Sequence, residues 1–254
     1  MSDETKNAEK VIGQASGLIE KAYDDLAHPT AKSLGNTISL IPRTIGVWLG
    51  KWEKWVINGE ESIRLTAQAV QEKASLIPEE KLTEPEPYVA VPAIQQLSCC
   101  YDSEKLRDMY ANLLVASMNS DTKWQVHPSY VDIIKQLTPD EAKLLHYFSK
   151  QAVIPLVEVR QKHDSGYTVL KKYHLNIPQN TVEIMRNLPL YIDNLIRLKL
   201  IEIPWDSHYT TESLYSSLES SFIVFGIPQE KIEFERKIIN VTSMGENFAN
   251  VCLN

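Results

Sequence analysis

The sequence predicts a mostly α protein with a small β component, an N-terminal helical region followed by a winged-helix-like C-terminal domain. Three observations carry this. Over residues 102–150, apolar residues recur at three- and four-residue spacing behind visible capping signals, as in helices with one buried face. After Lys150 the pattern changes to weak alternation at 154–160, closed by a His163-Asp164-Ser165-Gly166 turn, which reads as a strand pair. Further on, a helix ends in Leu198-Lys199-Leu200-Ile201 and enters a strand, and a later strand runs into Val241-Thr242-Ser243-Met244-Gly245, opening a terminal helix. A small hairpin packed on a three-helix core has this order. The expected regions are 1–85 (N-terminal helical), 86–137 (central helical) and 138–254 (winged-helix-like).

Residues 1–27 read as a polar, partly amphipathic helix with Val11, Ala15, Leu18, Ile19, Ala22 and Leu26 on one side, ended by His28-Pro29. Residues 43–77 read as a longer helix. Trp48, Trp52 and Trp55 recur on it at spacings of four and three, among Lys51, Glu53 and Lys54. Such a stripe is either a face packed on neighbouring helices or a partner, or an interfacial helix with its tryptophans at headgroup depth. Glu53, Glu60 and Glu61 weigh against the membrane, because anionic lipids repel them. Residues 78–92 (PEEKLTEPEPYVAVP) read as a proline-rich connector without regular helix. A short helix over 93–100 is expected after it.

Three helices follow. The first, about 103–119, has Leu106, Met109, Tyr110, Leu113, Leu114 and Met118 on its buried face and Asp102 or Ser103 as its cap. The second starts at His127-Pro128-Ser129, where a first-turn proline costs no hydrogen bond, and buries Tyr130, Val131, Ile133, Ile134 and Leu137. The third starts at Thr138-Pro139-Asp140-Glu141, a capping box with acidic groups at the positive helix end. Beyond it, strands are expected at 154–160 and 167–173. A helix capped by Asn180 or Thr181 is expected to be interrupted or restarted by Pro189. Strands are expected again at 200–204, 222–225 and 231–241, and a last helix at 243–252 behind Thr242.

The hydrophobic fraction of 43% and charged fraction of 23% are those of an ordinary globular chain. A net charge of -7 argues against broad phosphate-backbone binding. Between Leu200 and Glu230 there is no Lys or Arg, while Glu202, Asp206, Glu212, Glu219 and Glu230 are acidic, so a wing there would repel nucleic acid. Three cysteines, Cys99, Cys100 and Cys252, do not make a disulfide framework and fit buried thiols in a reducing cytoplasm. The first residues lack the apolar segment of a signal peptide, and no run of 18 apolar residues predicts a spanning helix.

The chain carries no Gly-rich phosphate loop, HExxH, CxxC or GxSxG. None of the six histidines pair at metal-ligand spacing. Glu104, Arg107, Asp108 and His127 are the candidate polar cluster: a base at a helix entry and charged groups on one helix, against the plainer reading of a capping histidine and a solvated face. No catalytic, metal or cofactor residue is assigned.

The stretches PAIQQLSCCYDSEKLRDMYANLLVASMN, HPSYVDIIKQLTPDEAKLL, LIRLKLIEIP and VTSMGENFANVCL resemble the abortive infection alpha (Abi-alpha) family of bacteria. The resemblance covers roughly 86–254. Winged helices usually read Leu-Gly-Leu-Ile where this chain has Leu198-Lys199-Leu200-Ile201. The family implies a link to phage defence and supplies no catalytic residues. The reading is a non-enzymatic interaction protein without cofactor, with a protein partner or a homo-oligomer. It is placed in the cytoplasm, with peripheral contact at the inner membrane left open. The alternatives are a membrane-acting effector using the Trp48, Trp52 and Trp55 face, or a winged-helix DNA-binding regulator.

Overall fold

A computed structural model of the chain describes residues 60–97, 100 and 103–254. The Trp48/Trp52/Trp55 stripe, Cys99 and the helices expected over 1–27 and the first part of 43–77 lie outside the described residues.

The described part is mostly helical with a small antiparallel β component. Helix α1 (Glu60–Ala74) buries Val70 and Ala74. The expected connector is partly wrong: α2 runs from Pro87 to Leu97 with Pro92 inside it. Pro87 stands in the first turn, where its missing N–H costs nothing, and Pro92 forfeits one ladder bond. Burial of Val89, Ala90, Ala93, Ile94 and Leu97 outweighs that loss; a fully buried large aliphatic side chain contributes about 1.5–3 kcal/mol.

Helices α3 (Glu104–Ser117), α4 (Ser129–Lys135) and α5 (Pro139–Ser149) stand where the capping signals put them. Ser103 Oγ accepts from the Leu106 amide at 3.3 Å. Thr138 Oγ1 accepts from the Glu141 amide at 3.3 Å, and Glu141 Oε2 accepts from the Thr138 amide at 2.6 Å, completing the capping box.

Strands β1 (Pro155–His163) and β2 (Gly166–His174) form a long hairpin. No helix starts at Asn180 or Thr181; helix α6 (Leu188–Arg197) carries Pro189 in its first turn, after a short 3-10 turn at Met185–Asn187. The proline pre-sets the backbone for the first turn. Strand β3 (Ile201–Glu202) follows. The polar, Ser-rich stretch 205–221 holds α7 (Ser213–Ser221), and the strand expected at 222–225 is absent. Tyr215 and Leu218, three apart, bury α7 against β1. Strand β4 (Ile232–Ile238) pairs with β1, giving the order β2-β1-β4, and β5 (Asn240–Val241) pairs with β3. Helix α8 (Ser243–Cys252) closes the described chain behind its Thr242 cap, whose Oγ1 accepts from the Gly245 amide at 3.0 Å.

One hydrophobic core runs from Val70 of α1 to Leu253. Helix α8 seals it, packed on α3 and α5. Asn112 of α3 donates to the Cys252 carbonyl at 3.0 Å, and Asn247 donates to the Gln125 carbonyl at 2.7 Å and to the Tyr130 hydroxyl.

The α6–β3 junction is a Schellman turn. Lys199 N–H bonds the Ile196 carbonyl at 2.9 Å and Leu200 N–H the Leu195 carbonyl at 3.0 Å, with Leu195 and Leu200 both fully buried. This needs a left-handed residue, and Lys199 supplies it at φ 60. Glycine adopts that conformation without the Cβ clash, which costs an ordinary residue about 1–2 kcal/mol. Lys199→Gly is therefore expected to stabilise the chain by about 1 kcal/mol after the entropy of glycine is counted. Thermal melts should show a rise of roughly 2–4 °C.

Candidate functional site

The three-stranded sheet has two unlike faces because side chains alternate along a strand. Val157 and Val159 point to the face covered by α7, where they bury with Tyr215 and Leu218, flanked by Leu170, Phe222 and Phe234. Glu158 and Arg160 point the other way. Glu158 is buried, accepting from Arg160 Nε at 2.6 Å and Lys237 Nζ at 2.8 Å, while Arg160 also pairs with Glu235. Burial opposes the Glu158 charge, but Lys237 and Arg160 outweigh it and hold the carboxyl below its ordinary value. Removing one cation would leave the buried carboxylate on a single partner, and removing both would leave it unpaired, which is the expensive outcome.

At the root of the hairpin, His174 is 8% exposed. Its Nε2 lies 2.9 Å from the Leu218 carbonyl and 3.0 Å from Ser221 Oγ, and Lys171 Nζ lies 3.0 Å from its Nδ1. A serine beside a histidine invites a nucleophile assignment. The carbonyl decides against it: a carbonyl only accepts, so Nε2 carries the proton and Nδ1 accepts from the Lys171 ammonium. Nε2 therefore cannot take a proton from Ser221, whose own hydroxyl donates to the same carbonyl at 2.8 Å. The cluster fastens α7 to β2. Sequence reasoning missed it, because Lys171, His174, Leu218 and Ser221 meet only through the fold.

His174 also makes stability depend on pH. Burial, with a smaller push from Lys171, lowers its pKa from 6.5 against the Leu218 carbonyl. Burial, Lys105 and Lys150 lower that of His146 likewise. A histidine with a lowered folded pKa binds fewer protons folded than unfolded. Its contribution is complete above 6.5 and is lost as pH falls through the folded value. The urea midpoint is expected to drop from pH 7.5 to pH 5, and His174→Gln is expected to shrink that drop. Asp140, Glu158 and Asp193, held below their ordinary carboxyl values, lose their contributions only at lower pH.

Of the residues singled out in the sequence, Glu104, Arg107 and Asp108 come together. They line a cleft of about 570 Å³ between α3 and α1, with Leu65, Thr66 and Ala69 opposite. Asp108 pairs with Lys73 at 2.9 Å and Arg107 Nη1 donates to the Cys100 carbonyl at 3.2 Å. His127 is not among the residues lining the cleft. Its Nδ1 accepts from the Ser129 amide at 3.2 Å, satisfying a donor at the entry of α4. A second cleft of about 470 Å³, lined by Glu202, Tyr209, Thr242 and Glu246 among others, lies at the β3–β5 pair. Among the described residues no group of three His, Cys, Asp or Glu could hold a metal ion, and no helix is long and apolar enough to cross a membrane.

The family model described as abortive infection alpha matches residues 58–252. The chain belongs to the abortive infection alpha family. The match takes in every described helix and strand, so this abortive infection alpha chain carries both the helical part and the sheet within the family region. No curated protein and no solved structure matches the chain.

Proposed function

We propose that this abortive infection alpha protein acts by binding a protein partner in bacterial phage defence and catalyses no reaction. The observation that carries this reading is the β1–β2 hairpin. Its two nine-residue strands are fixed at the root by the Glu158 ion pairs and the His174 cluster, while the outer strand stays exposed from Gly166 to Val169. Tyr167 and Val169, 54% and 44% exposed, sit on that strand. Large apolar groups held out on a stiff support favour recognition over stability. Trp205 and Phe225, each 93% exposed, add apolar surface within the segment that lacks Lys and Arg. Its acidic charge favours a protein over phosphate or anionic lipid.

The frame beneath is read as winged-helix-like: α5, α6 and α8 with the β3–β5 pair. The wing, 203–239, is enlarged into α7 and β4, and β4 joins the hairpin. Plaque counts on cells with and without the gene test the function across a phage panel. Protection by the natural chain, lost with Trp205→Ser/Phe225→Ser or Tyr167→Ser/Val169→Ser at equal protein level, is expected. Absence of protection against every phage would sink the reading.

A further inference from the structure

We propose that the outer edge of β2 receives an extended acidic segment of a partner protein as an added strand; this rests on the reading of the chain as a binding protein and names the chemistry of what it binds. A terminal strand of a sheet turns every second N–H and C=O away from its neighbour, and those groups can template another strand. Two strands of this sheet are terminal, β2 and β4. They are not equivalent. On β4, Tyr215 Oη donates to the Lys237 carbonyl at 3.0 Å, and Arg236 is drawn to Glu212 and Glu219 of α7. Among the described residues the backbone of β2 bonds only to β1.

The charge of β2 selects the occupant. Gly166–His174 contains Lys171 and Lys172 and no carboxylate. Lys172 is paired with Asp193 at 2.9 Å, whereas Lys171 reaches only the His174 ring. Lysines on an edge are the usual guard against another copy of the same strand, which would bring like charges opposite one another. The same lysines accept a strand rich in Asp or Glu. Tyr167 and Val169 offer apolar contact to its alternate side chains, so the complex combines main-chain bonds with side-chain selection.

The test uses the full chain, labelled for amide NMR, with a capped nine-residue peptide alternating glutamate and valine. The amides of Gly166–His174 are expected to shift on titration. Affinity is expected to fall at least tenfold when lysine replaces glutamate in the peptide, or when alternate peptide nitrogens are methylated. It should fall similarly with Lys171→Glu and, in a variant altered only at exposed side chains, with Tyr167→Ser/Val169→Ser. Undisturbed 166–174 amides at saturating acidic peptide overturn the proposal. So does equal binding of the lysine peptide, or a shift of these amides on diluting the protein alone, which assigns the edge to a second copy. Peptide binding without phage protection removes the defence reading and leaves this one. Protection without peptide binding at β2 does the reverse.

Discussion

Replacing Gly245 with alanine is expected to destabilise the chain by about 3 kcal/mol, near the upper end of the overpacking range. A Cβ at this position would intrude on the Leu200 carbonyl oxygen, with the Leu200 carbonyl carbon at 2.8 Å and Val241 Cγ1 at 3.0 Å. The obstacle is backbone, which cannot swing aside as a side chain would. It is also backbone already committed. The Leu200 carbonyl accepts from the Thr242 amide at 3.1 Å, and the Lys199 carbonyl accepts from Thr242 Oγ1 at 2.6 Å. Moving α8 away would stretch both bonds, part the β3–β5 pair and open the core at Phe248 and Cys252, both fully buried. Thermal melts should fall by roughly 6–12 °C, about 2–4 °C for each kcal/mol in a chain of this size. A variant that melts within 2 °C of the natural chain would show that α8 does not need this close approach.

Asp140→Ala is expected to cost a similar amount, about 2–4 kcal/mol, for a different reason. The carboxylate is 7% exposed and accepts three bonds: from the Glu183 amide at 3.0 Å, the Ile184 amide at 3.1 Å and the Tyr191 hydroxyl at 3.0 Å. Alanine would leave these donors in the interior, and each unsatisfied buried donor costs about 1–3 kcal/mol before relaxation. Burial works against the charge, but the two amides, Tyr191 and Lys143 overcome it and lower the carboxyl pKa from 3.8. By linkage, that stabilisation is present above the ordinary value and disappears as pH drops through the lower folded one. Urea unfolding at pH 7 and below pH 4 distinguishes the cases. The variant should lose much at pH 7 and less in acid, where the natural Asp140 is itself becoming protonated. Asp140→Asn keeps one acceptor oxygen and should fall between the two.

What the sequence made legible was local. Ser103, Thr138 and Thr242 mark helix starts because a cap is a contact between residues three apart. Glu104, Arg107 and Asp108 could be grouped because one helix turn carries them. What stayed hidden needed distant partners. Pro92 sits inside a helix because burial of α2 compensates a lost bond that local propensity alone forbids. Helix α7 has a weak pattern, since Tyr215 and Leu218 are the only residues it buries and serines fill much of the rest. His127 fell outside the cleft because sequence proximity of helix starts says nothing about which face they meet. The His174 cluster joins Lys171 and His174 to Leu218 and Ser221, which lie 44 and 47 positions from the histidine and left no trace in spacing. Lys199 shows the opposite limit: the turn was legible, and a residue poorly suited to it still makes it because the Leu195–Leu200 burial holds it in place.

The bond from Asn112 to the Cys252 carbonyl spans 140 residues. A chain emerging from the ribosome therefore makes α3 long before it makes the helix that covers it. Until then the side of α3 that carries Asn112 lacks its cover. Contacts of such sequence separation slow folding and expose the chain to aggregation and chaperone capture. Once α8 docks, α3 and α5 are covered together, so a released chain ending before Ser243 should be far more protease-sensitive than the full chain.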